Sequence, residues 1–297
     1  MTPRHTTLLK NLLAARRGVV LPGAANALTV RLIAEQGFDA IYVTGAGIAN
    51  THLGLPDIGM VSLKEVVDHV WVMRDVTDLP LLVDGDTGFG NAVNVVRTIE
   101  QFEKAGASGI QLEDQASPKK CGHFSGKAVI ATDEMVQKIK AAVDSRRDGD
   151  FQIIARTDAR ANLGLDEALD RAHAFIEAGA DVTFVEAPTS AEELSRIARE
   201  LPVPQIANMV FGGKTPLLSQ ADLEGLSFGG VLYANAALQV SVRAIADMLG
   251  VLKETGSLDN IADRLASFDE RQHMVDKEKY DALDRRYAVN DGNGAQG

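Results

Sequence analysis

The feature that most constrains the fold is a unit that recurs along the chain. In each copy a helical stretch ends at a glycine, and a short apolar run with polar residues at its end follows two or three residues later. The clearest copies have Gly37, Gly106 and Gly179 at the end of the helical stretch. Glycine in this position adopts the left-handed conformation at no steric cost. The apolar run has the length and composition of a strand buried on both faces.

Eight such runs occur, and amphipathic stretches separate them. The runs are residues 19–23, 40–45, 81–86, 109–114, 151–158, 182–187, 205–210 and 230–234. Between the third and fourth runs, Val93, Val96, Ile99 and Phe102 recur at helical spacing, which predicts a helix over residues 91–105. Alternating strands and helices predict right-handed crossovers and a parallel sheet. Eight units favour an α/β fold of the (β/α)8 TIM-barrel type over an open sheet.

The predicted helices after the eighth run exceed what a minimal barrel needs. They cover residues 236–255 and a further stretch through residue 287. The polar, glycine-rich residues 290–297 are predicted to be a disordered tail. No linker-like segment interrupts the rest, so we expect a single barrel domain over residues 1–289.

Composition limits the partners. The net charge of -11 disfavours nucleic acid and anionic lipid surfaces. Cys121 is the single cysteine, so an internal disulfide is impossible. Residues 1–17 lack the pattern of a signal peptide, and no apolar run approaches the ~20 residues that span a bilayer. We therefore expect a soluble cytoplasmic protein without a nucleic-acid or membrane partner.

Acidic residues collect where the predicted strands end, which is the active-site face of a parallel barrel. Asp84 and Asp86 end the third run, Glu113 the fourth and Glu186 the sixth. Side chains alternate along a strand, so Asp84 and Asp86 are expected to point the same way. Converging carboxylates repel one another, and a hard dication such as Mg²⁺, with Mn²⁺ as an alternative, relieves that repulsion. Individually, these acids could instead cap the helices that follow.

The segment after the fourth strand is as long as an active-site lid and covers residues 119–127. Its Cys121 stands beside lysines and His123, and positive neighbours favour the thiolate and make the thiol usable as an acid or base. The alternative is a small buried apolar residue, which is the commoner role of a lone cysteine. Asn208 ends the seventh run before a glycine pair that could present N–H groups to an anion, although an ordinary turn is favoured there.

Five strings in order resemble the isocitrate lyase/phosphoenolpyruvate mutase superfamily, closest to its 2,3-dimethylmalate lyase, methylisocitrate lyase and carboxyphosphonoenolpyruvate mutase members. They are GLPD at 54–57, DGDTGFG at 84–90, LEDQ at 112–115, ARTDAR at 155–160 and KKCGH at 119–123. The resemblance extends from about Leu8 to Tyr287. Each string alone is weak, whereas the ordered set is specific.

The resemblance implies a barrel whose last helix is swapped with a neighbouring subunit, and a homotetramer built from two swapped pairs. It implies Mg²⁺ held by Asp86, with Asp84 and Glu113 acting directly or through water. The implied catalytic residues are Cys121, Lys119, His123, Glu186 and Arg156. The implied substrate-binding residues are Tyr42, Thr44, Gly45, Ala46, Asp57, Gly122 and Asn208.

The implied reaction is a retro-aldol cleavage of a di- or tricarboxylate that carries a 2-hydroxyl group. Its products are a 2-oxo acid and a second carboxylate, and Cys121 protonates the carbanion carbon. The sequence departs from methylisocitrate lyases at Phe124, where they carry arginine, and at Ala46 and Ala234. Phe211 replaces the glutamate of a related NMVEGGKTP string. These departures favour a smaller or more apolar substrate of the malate type.

Other readings stay open at this point. The same scaffold could decarboxylate or hydrolyse oxaloacetate, or act as a phosphonomutase, since one fold hosts several reactions. A different mechanism would be a Schiff-base aldolase that uses Lys119 or Lys120. A barrel that only binds or assembles is the remaining alternative, and the complete set of acids argues against it.

Overall fold

The computed structural model describes residues 3–119 and 128–288. Eight parallel strands form one sheet in the order β6-β5-β4-β3-β2-β1-β8-β7. A parallel bridge between Thr183 of β6 and Gln205, just before β7, closes the sheet into a barrel. The strands are β1 Val19–Ala24, β2 Ile41–Val43, β3 Leu81–Asp84, β4 Gly109–Glu113, β5 Gln152–Thr157, β6 Val182–Val185, β7 Ile206–Asn208 and β8 Gly230–Tyr233. The predicted α/β barrel is confirmed, with most strands shorter than their apolar runs.

Helices separate the strands. They are α1 His5–Ala14, α2 Ala27–Glu35, α3 Gly45–Ile48, α4 Leu63–Arg74, α5 Ala92–Ala105, α6 Thr132–Ser145, α7 Arg160–Leu163, α8 Leu165–Glu177, α9 Ala191–Glu200, α10 Gln220–Gly225, α11 Ala236–Thr255, α12 Phe268–Met274 and α13 Lys277–Tyr287. A π-helical segment, Ala49–Leu53, extends α3, and a 3-10 segment, Asp259–Arg264, follows α11. The bounds of α11 coincide with the predicted helix.

Helix α5 shows how local sequence sets an element. The Asn91 side chain accepts hydrogen bonds from the backbone of Val93 and Asn94, and this cap begins the helix. Gly106 ends it in the left-handed conformation, with φ of 87°. The buried face differs from the predicted one, because Val93 is 77% exposed. Steps of three residues alone drift around a helix, and a buried stripe needs steps of three and four.

Helix α1 closes one end of the barrel. Leu9 and Leu13 are fully buried and pack with the inward-facing strand residues, including Leu82 and Phe184. A Cβ built on Gly109, at the start of β4, would lie 3.2 Å from Leu9 Cδ2. Because α1 covers the amino ends of the strands, the barrel opens at their carboxyl ends.

The chain divides into two compact units, residues 1–242 and 243–297. The first contains the barrel strands; the second contains the rest of α11, the 3-10 segment, α12 and α13. The expectation of one domain over residues 1–289 and the helix swap stay predictions, and the tail 290–297 lies outside the described residues. No described helix combines the length and apolarity that crossing a membrane requires.

Candidate active site

The barrel opening is lined by buried charged and polar side chains from consecutive strands. Asp84, Glu113 and Asn208 are the last residues of β3, β4 and β7. Arg156 lies near the end of β5, and Glu186 directly follows β6. Arg156 and the acidic residues among them are at most 9% exposed. We call Asp84, Asp86 and Glu113 the carboxylate cluster.

Asp86 reaches the cluster by a turn, so the predicted common direction of Asp84 and Asp86 does not come from alternation along a strand. Strand β3 ends at Asp84, and Asp86 has φ of 46°, in the left-handed region. The Asp86 backbone N–H donates to Asp84 Oδ1 at 3.2 Å, and the Asp86 carbonyl accepts from the Glu113 N–H at 2.9 Å. These two hydrogen bonds fix a conformation that an aspartate adopts uncommonly.

Gly45 shows that the carboxylates of Asp84 and Asp86 nevertheless meet in one place. A Cβ built on Gly45 would lie 3.1 Å from Asp84 Oδ2 and 3.5 Å from Asp86 Oδ1. The Gly45 N–H donates to Asp84 Oδ2 at 3.3 Å. A side chain at this position would therefore crowd the carboxylates, which explains why glycine stands there.

Lys119 is buried against the cluster. Its Nζ lies 2.7 Å from Asp86 Oδ1 and also donates to Asp57. Burial alone would lower the Lys119 pKa, but Asp86, Asp84 and the other nearby carboxylates together raise it above its ordinary value. The structure thus makes Asp57 an ion-pair partner of Lys119, and its predicted substrate contact stays a prediction. Lys120, Cys121, Gly122, His123 and Phe124 lie outside the described residues.

Arg156 is held rigidly at the centre of the opening. Its Nε and one terminal nitrogen donate to the two carboxylate oxygens of Asp158, at 3.0 and 3.1 Å. Its other terminal nitrogen lies 3.2 Å from Glu113 Oε2. Burial opposes the charge, yet Asp158, Glu113 and Glu186 raise the Arg156 pKa well above its ordinary value. A fixed cation in this place suits the carboxylate of a substrate.

Glu186 and Asn208 face each other across the ends of β6 and β7. The Asn208 side-chain nitrogen lies 3.5 Å from both carboxylate oxygens of Glu186, and Arg156 Nε lies 3.9 Å from one of them. Asn208 Oδ1 is buried and has no hydrogen-bond partner among the described residues. The structure therefore brings Arg156, Glu186 and Asn208 together, as predicted.

The predicted substrate-binding residues Tyr42, Thr44, Gly45 and Ala46 lie in β2 and at the start of α3. Thr44 caps α3 by accepting from the Gly47 N–H, and its hydroxyl donates to Asn235 Oδ1 at 3.0 Å. Tyr42 is buried, and its hydroxyl donates to Gln111 Oε1 at 2.7 Å. Ala46 is half-buried in the first turn of α3.

Sequence reasoning assigned no role to Asp158, Gln111 or Asn235. Asp158 stands inside the ARTDAR string, and its spacing two residues beyond Arg156 was an available signal. Gln111 precedes Glu113 by two residues on β4, so it shares the inward face. Asn235 gave no signal, because its contact with Thr44 is set by the closure of β8 against β1.

The electrostatics of the cluster favour a cation. Burial, opposed by Lys119 and reinforced by Asp84, raises the Asp86 pKa to about 7. Burial also raises the Glu113 pKa well above its ordinary value, against the effect of Arg156. Glu113 Oε1 is buried without a hydrogen-bond partner among the described residues. A buried, unpaired carboxylate oxygen is costly unless a ligand satisfies it.

The residues present fit Mg²⁺. Within residues 3–119 and 128–288, no three histidine, cysteine or acidic side chains form a ready-made metal site. Mg²⁺ does not require one, since it commonly binds through one or two carboxylates and keeps several waters. Asp86 and Glu113 would be its direct ligands or hold it through water. Asp84, whose Oδ1 and Oδ2 already accept from backbone N–H groups, would contribute charge.

A (β/α)8 barrel with buried carboxylates and an arginine at the carboxyl ends of its strands has the arrangement of an enzyme active site. A profile of the phosphoenolpyruvate phosphomutase family matches residues 9–252. The chain is 45% identical to 2,3-dimethylmalate lyase of Eubacterium barkeri over 281 residues, which are 95% of this chain and 97% of that protein. It therefore belongs to the phosphoenolpyruvate mutase/isocitrate lyase superfamily, as the motifs predicted.

Solved structures of enzymes with other activities share the fold. Oxaloacetate acetylhydrolase in complex with 3,3-difluorooxalacetate matches with a TM-score of 0.90 and 32% identity, over 96% of this chain and 98% of that chain. Phosphonopyruvate hydrolase in complex with oxalate and Mg²⁺ matches with a TM-score of 0.87 and 30% identity, over 96% and 99%. The barrel thus serves several reactions, and the choice among them depends on the site residues.

Proposed function

We propose that the protein is a Mg²⁺-dependent carbon–carbon lyase that cleaves a substituted malate-type 2-hydroxy acid, with 2,3-dimethylmalate as the first candidate. The observation that carries the proposal is the buried Glu113 Oε1 of the carboxylate cluster, which has no hydrogen-bond partner among the described residues, while Glu113 Oε2 lies 3.2 Å from Arg156. The 45% identity to a 2,3-dimethylmalate lyase supports it. A methylisocitrate-like substrate is the larger member of the same class.

Each site residue has a separate role in the proposed reaction. Mg²⁺ bound at the carboxylate cluster would neutralise charge that develops on the substrate oxygens. Arg156 binds a substrate carboxylate, and the Asn208 amide donates to a second oxygen. Glu186 is placed beside both of these groups to accept the proton of the 2-hydroxyl. The hydroxyl oxygen then becomes a carbonyl oxygen as the C2–C3 bond breaks.

The electron pair of the broken bond stays on the other fragment, which needs one proton on carbon. By the resemblance, Cys121 supplies this proton, and His123 and Gly122 stand beside it in the chain. Lys119, two residues before Cys121 in the chain, forms ion pairs with Asp57 and Asp86 and would contribute a positive charge near the thiol. Exchange of Cys121 for serine should therefore lower turnover strongly.

A cavity beside the carboxylate cluster has three apolar side chains among its mostly polar lining residues, and these could contact a methyl group of the substrate. The cavity has a volume of about 430 Å³ and adjoins Asp86 and Lys119, and Val61, Phe89 and Ile130 line it together with polar residues. Phe211, in the turn after β7, is 78% exposed. Methyl groups gain free energy when such surfaces remove them from water, at about 0.8 kcal/mol for each buried CH₂.

A substrate screen tests the proposal. The protein is offered 2,3-dimethylmalate, methylisocitrate, isocitrate, citramalate and oxaloacetate, each with Mg²⁺ or with EDTA, and 2-oxo acid release and oxaloacetate loss are recorded. We expect Mg²⁺-dependent pyruvate from 2,3-dimethylmalate. Loss of oxaloacetate alone would replace the proposal by the hydrolase or decarboxylase activity, for which the likeness to oxaloacetate acetylhydrolase is the supporting observation.

If none of the five substrates is turned over, phosphonate chemistry is favoured, which the likeness to phosphonopyruvate hydrolase supports. The structure argues against a Schiff base on Lys119. Its ammonium group lies between Asp57 and Asp86, and the raised pKa keeps it protonated and non-nucleophilic. Borohydride trapping with substrate would reveal a covalent adduct on either lysine.

The homotetramer with swapped helices and the cytoplasmic location belong to the proposal as well. Helix α11 is 20 residues long and has no buried residue, although its sequence is largely apolar. Val240 and Val242 are 68% and 63% exposed. A second copy of the chain would cover such a surface. Light scattering coupled to size exclusion gives the mass, and a monomer would contradict this part.

A further inference from the structure

We infer that Gln111 is a positioning residue that orients the carboxylate of Glu113 so that its Oε1 atom faces the cation site. The inference rests on the metal site of the proposed function. No sequence motif identified Gln111. The hydrogen bonds of its neutral amide determine how the acids of the carboxylate cluster are arranged.

Gln111 is 1% exposed and touches three members of the site. Its Oε1 accepts the hydroxyl proton of Tyr42 at 2.7 Å. Its Nε2 lies 3.4 Å from Asp84 Oδ1 and 3.4 Å from Glu113 Oε2. The amide cannot be turned around, because its oxygen would then face two carboxylate oxygens. The two carboxylates thus fix the direction in which the amide donates, and the Tyr42 hydroxyl holds the amide oxygen from the other side.

The two carboxylate oxygens of Glu113 have different surroundings as a consequence. Its Oε2 lies near two donors, Gln111 Nε2 and the Arg156 guanidinium at 3.2 Å. Its Oε1 has no partner among the described residues. At Asp84, both oxygens accept from backbone N–H groups, of Asp86 and Gly45. Of the two carboxylate oxygens of Glu113, Oε1 is therefore the one available to a cation. Gln111 and Arg156 determine this, because both contact Oε2.

A neutral amide suits this task better than a charged group. A lysine or arginine in place of Gln111 would add a positive charge that competes with a dication for the carboxylates. A glutamate would place a further acceptor against Asp84 and Glu113. Glutamine donates to both acids and adds no net charge, so it reduces their mutual repulsion and leaves the attraction for the cation intact.

The test is a titration of the whole protein with Mn²⁺, followed by electron paramagnetic resonance of the free ion, with no substrate present. Gln111→Met keeps the length of the side chain and removes both hydrogen-bonding groups. We expect about 10- to 100-fold weaker Mn²⁺ binding, the usual effect of losing a group that orients a metal ligand. Gln152→Met is the matched control, because Gln152 is a buried glutamine on β5 that bonds to the Asp150 carbonyl. Its Mn²⁺ affinity should equal that of the wild type.

Tyr42→Phe separates positioning from general disturbance. It leaves Gln111 in place but removes the hydrogen bond that holds its amide oxygen, so we expect a smaller loss of Mn²⁺ affinity. The double variant should bind no more weakly than Gln111→Met, because the tyrosine acts through the amide. Additive losses would contradict the inference. If Gln111→Met fails to fold, Tyr42→Phe decides alone, and unchanged Mn²⁺ affinity in that variant would overturn the inference.

The outcomes separate the two proposals. Wild-type affinity in Gln111→Met would overturn the role of Gln111 and leave the proposed lyase intact. Failure of the wild-type protein to bind Mn²⁺ would remove the metal site itself, and with it both the proposed function and the inference.

Discussion

The ammonium nitrogen of Lys119 lies 2.7 Å from Asp86 Oδ1, on the carboxylate predicted to hold the metal ion. A dication bound by Asp86 would therefore compete with a protein cation for the same carboxylate. The ion pair with Asp57 gives Lys119 a second partner, so its charge stays satisfied when a metal ion takes Asp86. The two ion pairs give the carboxylates of Asp57 and Asp86 a common cationic partner.

Lys119→Met should therefore separate metal binding from turnover. Removal of the competing charge is expected to strengthen Mn²⁺ binding several-fold, since one charge repels another at short range. Turnover should fall at least tenfold, because the variant lacks the positive charge two residues before Cys121 in the chain. Mn²⁺ titration and steady-state kinetics measure the two effects. Weaker metal binding in this variant would contradict the competition.

The pair of Arg156 and Asp158 makes a second prediction. Asp158→Asn keeps the shape of the side chain but replaces a charged acceptor, which costs about 1.5–3 kcal/mol. We expect kcat/KM to fall about 10- to 100-fold, since 1.4 kcal/mol is a factor of ten. Glu193→Gln is the control, because Glu193 holds Arg160 at 2.7 Å outside the barrel opening. Equal kinetics in the two variants would argue against a special role for Arg156.

Gly45→Ala tests the close approach of the carboxylates. The new Cβ would lie 3.1 Å from Asp84 Oδ2, which is closer than an ordinary contact. We expect Asp84 to shift, and Mn²⁺ affinity and kcat/KM to fall together while the fold persists. Gly225→Ala is the control, because a Cβ there meets nothing within 4 Å. A Gly45→Ala variant with wild-type metal affinity would show that the cluster tolerates displacement.

The closure of the barrel by α1 makes a prediction about acid stability. Hydrogen bonds from Lys10 and Thr7 lower the pKa of Asp150 to about 2. A carboxylate with a lowered folded pKa stabilises the protein above its unfolded pKa of about 3.9, and that stability disappears as the pH falls toward 2. At pH 5 the Asp150→Asn variant should melt at a lower temperature than the wild type. At pH 3 the difference between the two melting temperatures should be smaller.

Asp144→Asn, at an exposed carboxylate near the end of α6, is the control for Asp150. It should leave the melting temperature within error of the wild type at both pH values. If Asp150→Asn were as stable as the wild type at pH 5, the ion pairs with Lys10 and Arg4 would contribute nothing to the closure of the barrel.

The strands and the membership in the superfamily could be predicted because both are local signals. Gly37, Gly106 and Gly179 do adopt left-handed φ values of 77°, 87° and 103°. The carboxylates followed from the rule that barrel sites lie at the ends of strands. Strand alternation was predicted to continue to Asp86. It does not, because the strand ends at Asp84 and a turn follows.

The connections within the site could not be predicted, because they join residues far apart in the chain. Tyr42 meets Gln111 across 69 positions, and Thr44 meets Asn235 across 191. No periodicity or motif encodes such a pair; the closure of the barrel creates it. The same closure places Lys119 against Asp57, which is 62 positions away in the chain.

The most direct test of the central claim is a product balance with 2,3-dimethylmalate. Cleavage of its C2–C3 bond must release pyruvate and propionate in equal amounts. We predict equimolar products with Mg²⁺, none with EDTA, and recovery when Mg²⁺ is restored. Asp86→Asn should be inactive under the same conditions. Products formed equally well in EDTA, or neither product from the wild-type protein with Mg²⁺, would contradict the account.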